Sequence, residues 1–292
     1  MTNATNGMKR TIMTMALLLS VGLAAGAQQY KGSSKDSAFV VSVLAEAANT
    51  KDIGNVPLFF ARKFLGRPYV AHTLEVGDDY RIVVNTRQLD CTTLVENVVA
   101  LTLCLNENKL SFNDYLAKLT MIRYRQGKMS GYVSRLHYFT DWIEDNTDKG
   151  IVTEVGSPNP PFSAAQKVKV NYMSTHPEAY DALRKRPERV DTIRKTERAI
   201  TGKSYKYIPK SGVRNTKLLR QAIHDGDIIA ITSSKAGLDI AHLGFAVWRS
   251  DGLHLLNASM LHHKVVEEPM TLRQYLMRHK SHTGIRIVRI RQ

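Results

Sequence analysis

The chain contains only two cysteines in 292 residues, Cys91 and Cys104. They are 13 positions apart in a segment whose apolar spacing predicts one helix, so about 20 Å of helix separates them at about 1.5 Å per residue. The Cα atoms of a disulfide lie within about 7 Å of each other. A disulfide between them is therefore excluded, and both thiols are predicted to be free.

Long apolar runs are also missing after the N-terminus, and a membrane span needs about 20 residues. The N-terminal segment has a basic pair, an apolar stretch over residues 11–23 and an A-x-A pattern that ends at Ala27. This order is typical of a secretory signal peptide; an uncleaved anchor is the alternative, but the stretch is short for one. We expect cleavage of residues 1–27. Residues 28–292 are then predicted to form a single domain with no stable membrane insertion.

Acidic residues are few relative to basic ones. The chain has 41 Lys and Arg against 26 Asp and Glu, a formal charge of +15, and loss of Lys9 and Arg10 with the signal peptide leaves +13. Such a balance attracts polyanions. An exported protein rarely meets nucleic acid, so we predict no nucleic-acid partner and expect anionic cell-envelope material. A solvated basic surface is the alternative.

Metal-ligand spacings are absent as well. A zinc hydrolase needs His and carboxylate ligands at defined spacing, such as H-E-x-x-H on a helix, and the chain has no such string. His262 and His263 are neighbours, and adjacent side chains on a strand point to opposite faces. The sequence therefore predicts no metal and no cofactor.

Helical periodicity dominates the first part of the chain, and strand-like runs dominate the last part. The predicted helices cover residues 35–48, 56–64, 91–105, 111–124 and 178–200. The predicted strands cover residues 80–84, 227–232, 242–248, 253–259 and 284–290. Residues 127–169 are expected to be mostly loop. Helices followed by strands predict the α+β class.

The position of Cys91 points most directly to chemistry. It follows Asp90 at the predicted start of a helix, where the helix dipole favours a thiolate. A cysteine nucleophile needs a base within hydrogen-bond reach, and His242, at a strand start beside Gly244, is a candidate among ten histidines. A buried structural cysteine remains the alternative. The competing histidines are His72, His137 and His254.

Four strings occur in the order of a known family: Gly66-x-Pro68-Tyr69, Asp90-Cys91-Thr92-Thr93-Leu94-Val95, His242-Leu243-Gly244 and Asn257-Ala258-Ser259. The chain thus resembles the NlpC-type papain-like cell-wall hydrolases, and more closely their N-acetylmuramoyl-L-alanine amidase-like branch, which Gram-negative bacteria export. The resemblance covers nearly the whole mature chain. It implies a papain-like fold, with the cysteine helix packed on an antiparallel sheet, and location in the periplasm of a Gram-negative bacterium.

The resemblance also implies roles for single residues. Cys91 is expected to attack an amide carbonyl as a thiolate. His242 is expected to act as general base and then as the acid that protonates the leaving amine. Asn257 takes the third position and would orient the imidazole. The Tyr69 hydroxyl is expected to stabilise the oxyanion together with the backbone N–H of Cys91.

One predicted turn conflicts with these roles. A two-residue hairpin turn at Asp251–Gly252 fits the turn signal between the two strands. It would pair Asn257 with Ala246, four residues or roughly 13 Å along the sheet from His242. A bulge or a different register is therefore required to bring Asn257 to His242.

Compact relatives of the family lack the long insertion that this chain has over about residues 125–225. A segment of this kind usually shapes the substrate site. An arginine there can bind a carboxylate, and aromatic rings can stack on sugars. The expected substrate-binding residues are Arg135, His137, Tyr138, Trp142 and Tyr207. For Tyr138 and Trp142, four residues apart, packing of a helix against the core is the alternative.

The function that the resemblance implies is cleavage between N-acetylmuramic acid, in the anhydro form, and L-alanine in peptidoglycan fragments (muropeptides). An endopeptidase that cuts between D-glutamate and the diamino acid is an alternative within the same class, and the long insertion favours the first reaction. A non-catalytic envelope-binding module is an alternative from another class. The presence of both Cys91 and His242 argues against that module.

Overall fold

The structure is a computed structural model that describes residues 29–75 and 80–291. The predicted signal peptide, residues 1–27, lies outside this part of the chain. The helices are α1 (Ser34–Asn49), α2 (Val56–Arg62), α3 (Cys91–Asn106), α4 (Phe112–Arg123), α5 (Phe139–Asp148), α6 (Tyr172–Thr175), α7 (Pro187–Ile200), α8 (Lys217–Ala222) and α9 (Leu272–Arg278). No helix within these ranges is both long and apolar enough to cross a bilayer.

Antiparallel pairing builds the main sheet, in the order β4-β5-β10-β6-β7-β8-β9, with β3 also paired to β10. The strands are β1 (Tyr30–Lys31), β2 (Ile82–Val83), β3 (Val152–Val155), β4 (Ala164–Lys167), β5 (Ser204–Pro209), β6 (Ile228–Ser233), β7 (Ile240–Trp248), β8 (Leu253–Ser259), β9 (Lys264–Glu267) and β10 (His282–Ile290). A separate parallel pair joins β1 and β2. Helices in the first half and an antiparallel sheet in the second agree with the predicted α+β class.

Helix α3 lies at the centre of the fold. Its residues from Thr93 to Cys104 are buried, because α1, α2 and α4 pack on one side and β7 and β8 on the other. The predicted stripe contributes Leu94, Val98 and Leu101 to the same core as residues of the sheet. A helix that is apolar nearly all round is stable only in such a position. The start of α3 is therefore fixed relative to β7 and β8.

The segment predicted to be mostly loop, residues 127–169, contains α5, β3 and β4. Helix α5 buries Phe139, Trp142 and Ile143, which supply the apolar face that a surface loop lacks. The helix predicted over residues 178–200 begins only at Pro187. The predicted insertion, about residues 125–225, supplies β3, β4 and β5 to the main sheet. It is thus built into the sheet that also carries β7.

The turn between β7 and β8 lies one residue earlier than predicted. Arg249 and Gly252 exchange both backbone hydrogen bonds, at 2.9 and 3.3 Å. The two turn residues are therefore Ser250–Asp251, and the predicted Asp251–Gly252 turn is wrong. Gly252 closes the hairpin with a φ of 150°, a backbone conformation that favours glycine.

This one-residue change moves the strand pairing by two positions. Phe245 pairs with Leu256, and this register places Asn257 opposite Gly244 instead of Ala246. His242 is two residues from Gly244, and diagonal neighbours of this kind are within reach of long side chains. A Cβ at position 244 would lie 2.6 Å from the main-chain oxygen of Leu256, so the close approach of the two strands requires glycine there. The predicted separation of about 13 Å between Asn257 and His242 is therefore wrong.

Candidate active site

Cys91 is the first residue of α3, and Asp90 is its N-cap. The Thr93 N–H donates to Asp90 Oδ1 at 2.7 Å, and the Asp90 N–H donates to the Thr93 hydroxyl at 2.9 Å. This reciprocal cap satisfies backbone donors that a helix start leaves without partners. The cap fixes the half-buried Cys91 thiol at the end of the most deeply buried helix.

The surroundings of the thiol oppose its ionisation. Burial and the negative charge of Asp90 raise the pKa of Cys91 to about 12, although the N–H of Leu243 and the hydroxyl and N–H of Thr92 hydrogen-bond the sulfur. Burial and Asp90 therefore favour the neutral thiol, against the thiolate that the helix dipole favours. The thiol needs a base to become a nucleophile.

His242 and Asn257 are in direct contact across β7 and β8. The distance between His242 Nε2 and Asn257 Oδ1 is 2.9 Å. An amide oxygen only accepts, so Nε2 donates and Nδ1 remains as the basic nitrogen. Because α3 packs against β7, this imidazole lies on a strand that contacts the helix of Cys91. Asn257 is completely buried and cannot exchange its partner for water.

The imidazole of His242 is neutral at neutral pH. Burial lowers its pKa below the ordinary value of 6.5, and the hydrogen bond that His242 donates to Asn257 and the charge of Glu268 oppose that effect. A neutral imidazole is the form that accepts a proton. His242 therefore has the protonation state of a general base.

Cys91 opens onto a cleft of about 240 Å³ that Tyr69 also lines. The Tyr69 N–H donates to the His263 oxygen at 2.9 Å, and Tyr69 forms a bridge with Leu89, two residues before Cys91. Burial, followed by the charges of Cys91 and Asp90, raises the pKa of the Tyr69 hydroxyl to about 12. This hydroxyl stays protonated and can donate a hydrogen bond at the cleft.

The cleft is also lined by Arg135, Glu75 and His137. Arg135 donates to Glu75 Oε1 at 3.2 Å and to His137 Nδ1 at 3.4 Å, and it lies over the Tyr132 ring at 4.9 Å. His137 Nε2 donates to the Tyr132 oxygen at 2.9 Å. Burial and the Arg135 charge hold the pKa of His137 well below its ordinary value, so this ring is neutral. The guanidinium is thus held in a fixed orientation in the cleft.

A family model described as N-acetylmuramoyl-L-alanine amidase-like (AmiA-like) matches residues 59–285. This match covers most of the chain and includes Cys91, His242 and Asn257. The chain belongs to this AmiA-like family. Membership supports a hydrolase of the amidase type, and no curated protein is significantly similar to the chain.

Solved structures agree with the family. An N-acetylmuramoyl-L-alanine amidase from Bacteroides uniformis ATCC 8492 is 41% identical with a TM-score of 0.75, and the match covers 81% of this chain and 98% of that one. A Bacteroides fragilis protein provisionally named a xylanase is 40% identical with a TM-score of 0.73, covering 79% and 99%. A Legionella pneumophila protein at 22% identity, TM-score 0.67 and coverage of 88% and 95% shares the fold.

Three residues predicted to bind substrate lie away from the cleft of this AmiA-like protein. The Tyr138 hydroxyl donates to Glu197 at 2.7 Å inside the protein, and Trp142 is completely buried with its ring stacked on Phe139 at 4.8 Å. For these two the structure favours the alternative, helix packing. Tyr207 is half-buried on β5, three strands from β7, and does not line the cleft. None of the three is placed to stack on a sugar bound at Cys91.

The competing histidines differ in exposure and in hydrogen bonding. His72 lines the cleft but is exposed. His254 is buried, and its two ring nitrogens are hydrogen-bonded to the Glu268 main-chain oxygen and to Asp251.

The sequence did not identify Glu75 or Glu268 as part of the site, because neither belongs to a recognisable motif. In residues 29–75 and 80–291, no group of three or more His, Cys, Asp or Glu is arranged to hold a metal ion.

Proposed function

We propose that this protein is a cysteine amidase with an NlpC-type, papain-like arrangement, which hydrolyses the amide bond between N-acetylmuramic acid and L-alanine. The proposal is carried by the position of Cys91 at the start of a capped helix that packs against β7. On β7, His242 is hydrogen-bonded to Asn257 at 2.9 Å. The name of the Bacteroides uniformis relative supports the choice of bond. The predicted signal peptide supports a place in the periplasm.

The chemistry proceeds through a thioester. Nδ1 of His242 takes the thiol proton as the Cys91 sulfur attacks the lactyl carbonyl carbon of muramic acid. The carbon–nitrogen bond then breaks, and the amine of L-alanine leaves with the proton from His242. Water, deprotonated by the same imidazole, hydrolyses the thioester and restores the thiol. A neutral resting pair suits this cycle, since His242 accepts the proton only as the attack occurs.

The negative oxygen formed in each attack needs donors. The Cys91 N–H belongs to the first turn of α3, where backbone N–H groups have no partner within the helix. The Tyr69 hydroxyl, on the same cleft, supplies a second donor. One oxyanion donor commonly contributes about 10²- to 10³-fold to kcat. We therefore place Tyr69 in the oxyanion site.

A small cleft favours fragments over intact wall. Its volume of about 240 Å³ suits the reacting part of one muropeptide, since whole small-molecule pockets occupy about 300–1,000 Å³. Arg135 offers a guanidinium to a substrate carboxylate, with Glu75 and His137 holding it in place. We propose anhydro-muropeptides as the substrates, with Arg135 and His137 in substrate binding.

The decisive test is mass spectrometry of defined muropeptides after incubation with residues 28–292. We expect release of the intact L-alanyl peptide from the sugar, blocked by iodoacetamide and unaffected by EDTA. Cys104 is completely buried, so alkylation reports on Cys91. Cleavage inside the peptide would instead identify the endopeptidase, and binding without any cleavage would identify the envelope-binding module. A parallel arm with xylan should give no new reducing ends.

The pH dependence gives a second prediction. The base must be neutral, and burial lowers the pKa of His242, so the acidic limb of kcat/KM should have its midpoint below pH 6.5. In Asn257→Ala this limb should move to still lower pH, because the lost hydrogen bond raises that pKa in the wild type. Initial rates across the acidic range test both statements. A midpoint above 6.5 would contradict the assignment of His242 as the base.

A further inference from the structure

Glu268 is a buried carboxylate that the mechanism above does not use. It follows β9, and its side chain is completely buried. One carboxylate oxygen accepts from Asn257 Nδ2 at 3.0 Å, and the other accepts from His262 Nε2 at 3.1 Å. Its own N–H donates to the Leu255 oxygen at 2.8 Å, which ties the residue to β8. Glu268 is thus held behind Asn257, on the side away from His242.

The Asn257 amide can face either way by shape alone, because its oxygen and its NH₂ group are nearly the same size. A carboxylate only accepts, so the NH₂ group faces Glu268 and the oxygen faces His242. With the amide reversed, Nε2 of His242 would have to accept, and the proton would move to Nδ1. The Cys91 thiol would then face a protonated Nδ1, which is a donor, instead of a basic nitrogen.

We propose, resting on the cysteine amidase function above, that Glu268 is a positioning residue for this reaction. It fixes the Asn257 amide, and through it the tautomer of His242, while the half-exposed His262 holds Glu268 from the other side. Within residues 29–75 and 80–291, no Lys or Arg forms an ion pair with Glu268. Its negative charge therefore also supports the imidazolium that forms when Cys91 gives up its proton.

Groups on several elements influence the titration of His242. These groups are Asn257 on β8, Glu268 after β9, His279 after α9 and Asp90 before α3. His282 on β10 also interacts electrostatically with it. The Tyr275 ring lies 6.2 Å from the imidazole. Burial is the strongest influence and lowers the pKa of His242, whereas the charge of Glu268 raises it. Loss of that charge should therefore move the acidic limb of the rate profile to lower pH.

Glu268→Gln tests the proposal, because it keeps the shape and removes the charge. We expect kcat to fall by roughly 10- to 100-fold with KM unchanged, and the acidic limb to move to lower pH. The matched control is Glu267→Gln. Glu267 is one residue away and pairs with Arg62 and Arg249, each at 2.8 Å. That control removes the same charge and should leave kcat and the pH profile as in the wild type.

A second readout separates this proposal from the proposed function. The rate of Cys91 alkylation by iodoacetamide, followed by peptide mass spectrometry across pH, needs no substrate. In Glu268→Gln its pH dependence should change, and in Glu267→Gln it should not. Absence of muropeptide cleavage by the wild type would contradict the proposed function and not the positioning role. Unchanged alkylation and rate profiles in a folded Glu268→Gln, or a loss of rate that only follows lost folding, would overturn the positioning role.

Discussion

Replacement of Cys91 by alanine should abolish amide hydrolysis and leave the fold intact. Removal of a nucleophile that acts together with its base costs at least about 10⁴-fold in kcat, because no thioester can form. The side chain is half-buried at the start of α3, and the cap between Asp90 and Thr93 does not involve the sulfur. Stability should therefore change by no more than about 1 kcal/mol. Product release by mass spectrometry and thermal unfolding measure the two effects.

Cys104→Ala is the matched control for this variant. Cys104 lies in the same helix and is completely buried, so its replacement removes a core contact and should lower stability by about 1 kcal/mol. Its catalytic rate per folded molecule should equal that of the wild type. If Cys91→Ala unfolds the protein, Cys91 is structural. If the folded variant still hydrolyses the amide, Cys91 is not the nucleophile and the mechanism is wrong.

The elements predicted best are those whose apolar sequence pattern matches the burial of their residues. β8 has the predicted bounds, and α3 extends one residue beyond its prediction, since both are buried over most of their length and pack against neighbours close in sequence. Helix α5 was expected only as an alternative to loop, because its ten residues mix buried Phe139 and Trp142 with acidic and polar positions. Packing against other parts of the chain decides such a segment, and a local pattern does not contain that information.

The sequence predicted which residues form the site, but it did not predict how they are arranged in space. The motif order gave Cys91, His242 and Asn257, but turn chemistry alone placed the β7–β8 turn one residue late and separated two residues that touch. Glu268 could not be predicted, because its importance arises from burial behind Asn257 and not from spacing. Asp90 was recognised as a polar neighbour, whereas its charge acts against the thiolate that the helix start favours.

A buried ion pair holds the site helix to its neighbour. Arg123, at the end of α4, donates to Glu96 on α3 at 2.7 Å, and each side chain is only 2% exposed. The same guanidinium donates to the Val83 oxygen on β2 at 2.7 Å. Glu96 lies along α3 from Cys91 and lines the cleft. Arg123 therefore fixes α3 against both α4 and β2.

Arg123→Met should lower the free energy of unfolding by about 3–5 kcal/mol, because it leaves Glu96 buried without a partner. Urea unfolding measures the loss. The double variant Glu96→Gln with Arg123→Met should recover part of it, since no charge is then left buried. An exposed pair, Arg194 with Asp191, provides the control, and Arg194→Met should cost no more than about 1 kcal/mol.

The pH dependence of this loss identifies its cause. Burial raises the pKa of Glu96 above 4.5, and Arg123 opposes that effect, so removal of Arg123 raises the pKa further. A group whose folded pKa is raised gives its stability below the unfolded value and loses it as the pH rises through the folded value. The deficit of Arg123→Met relative to wild type should thus be smallest below pH 4.5 and largest at neutral pH. A deficit independent of pH would show that lost packing of the arginine stem, and not the unpaired carboxylate, destabilises the variant.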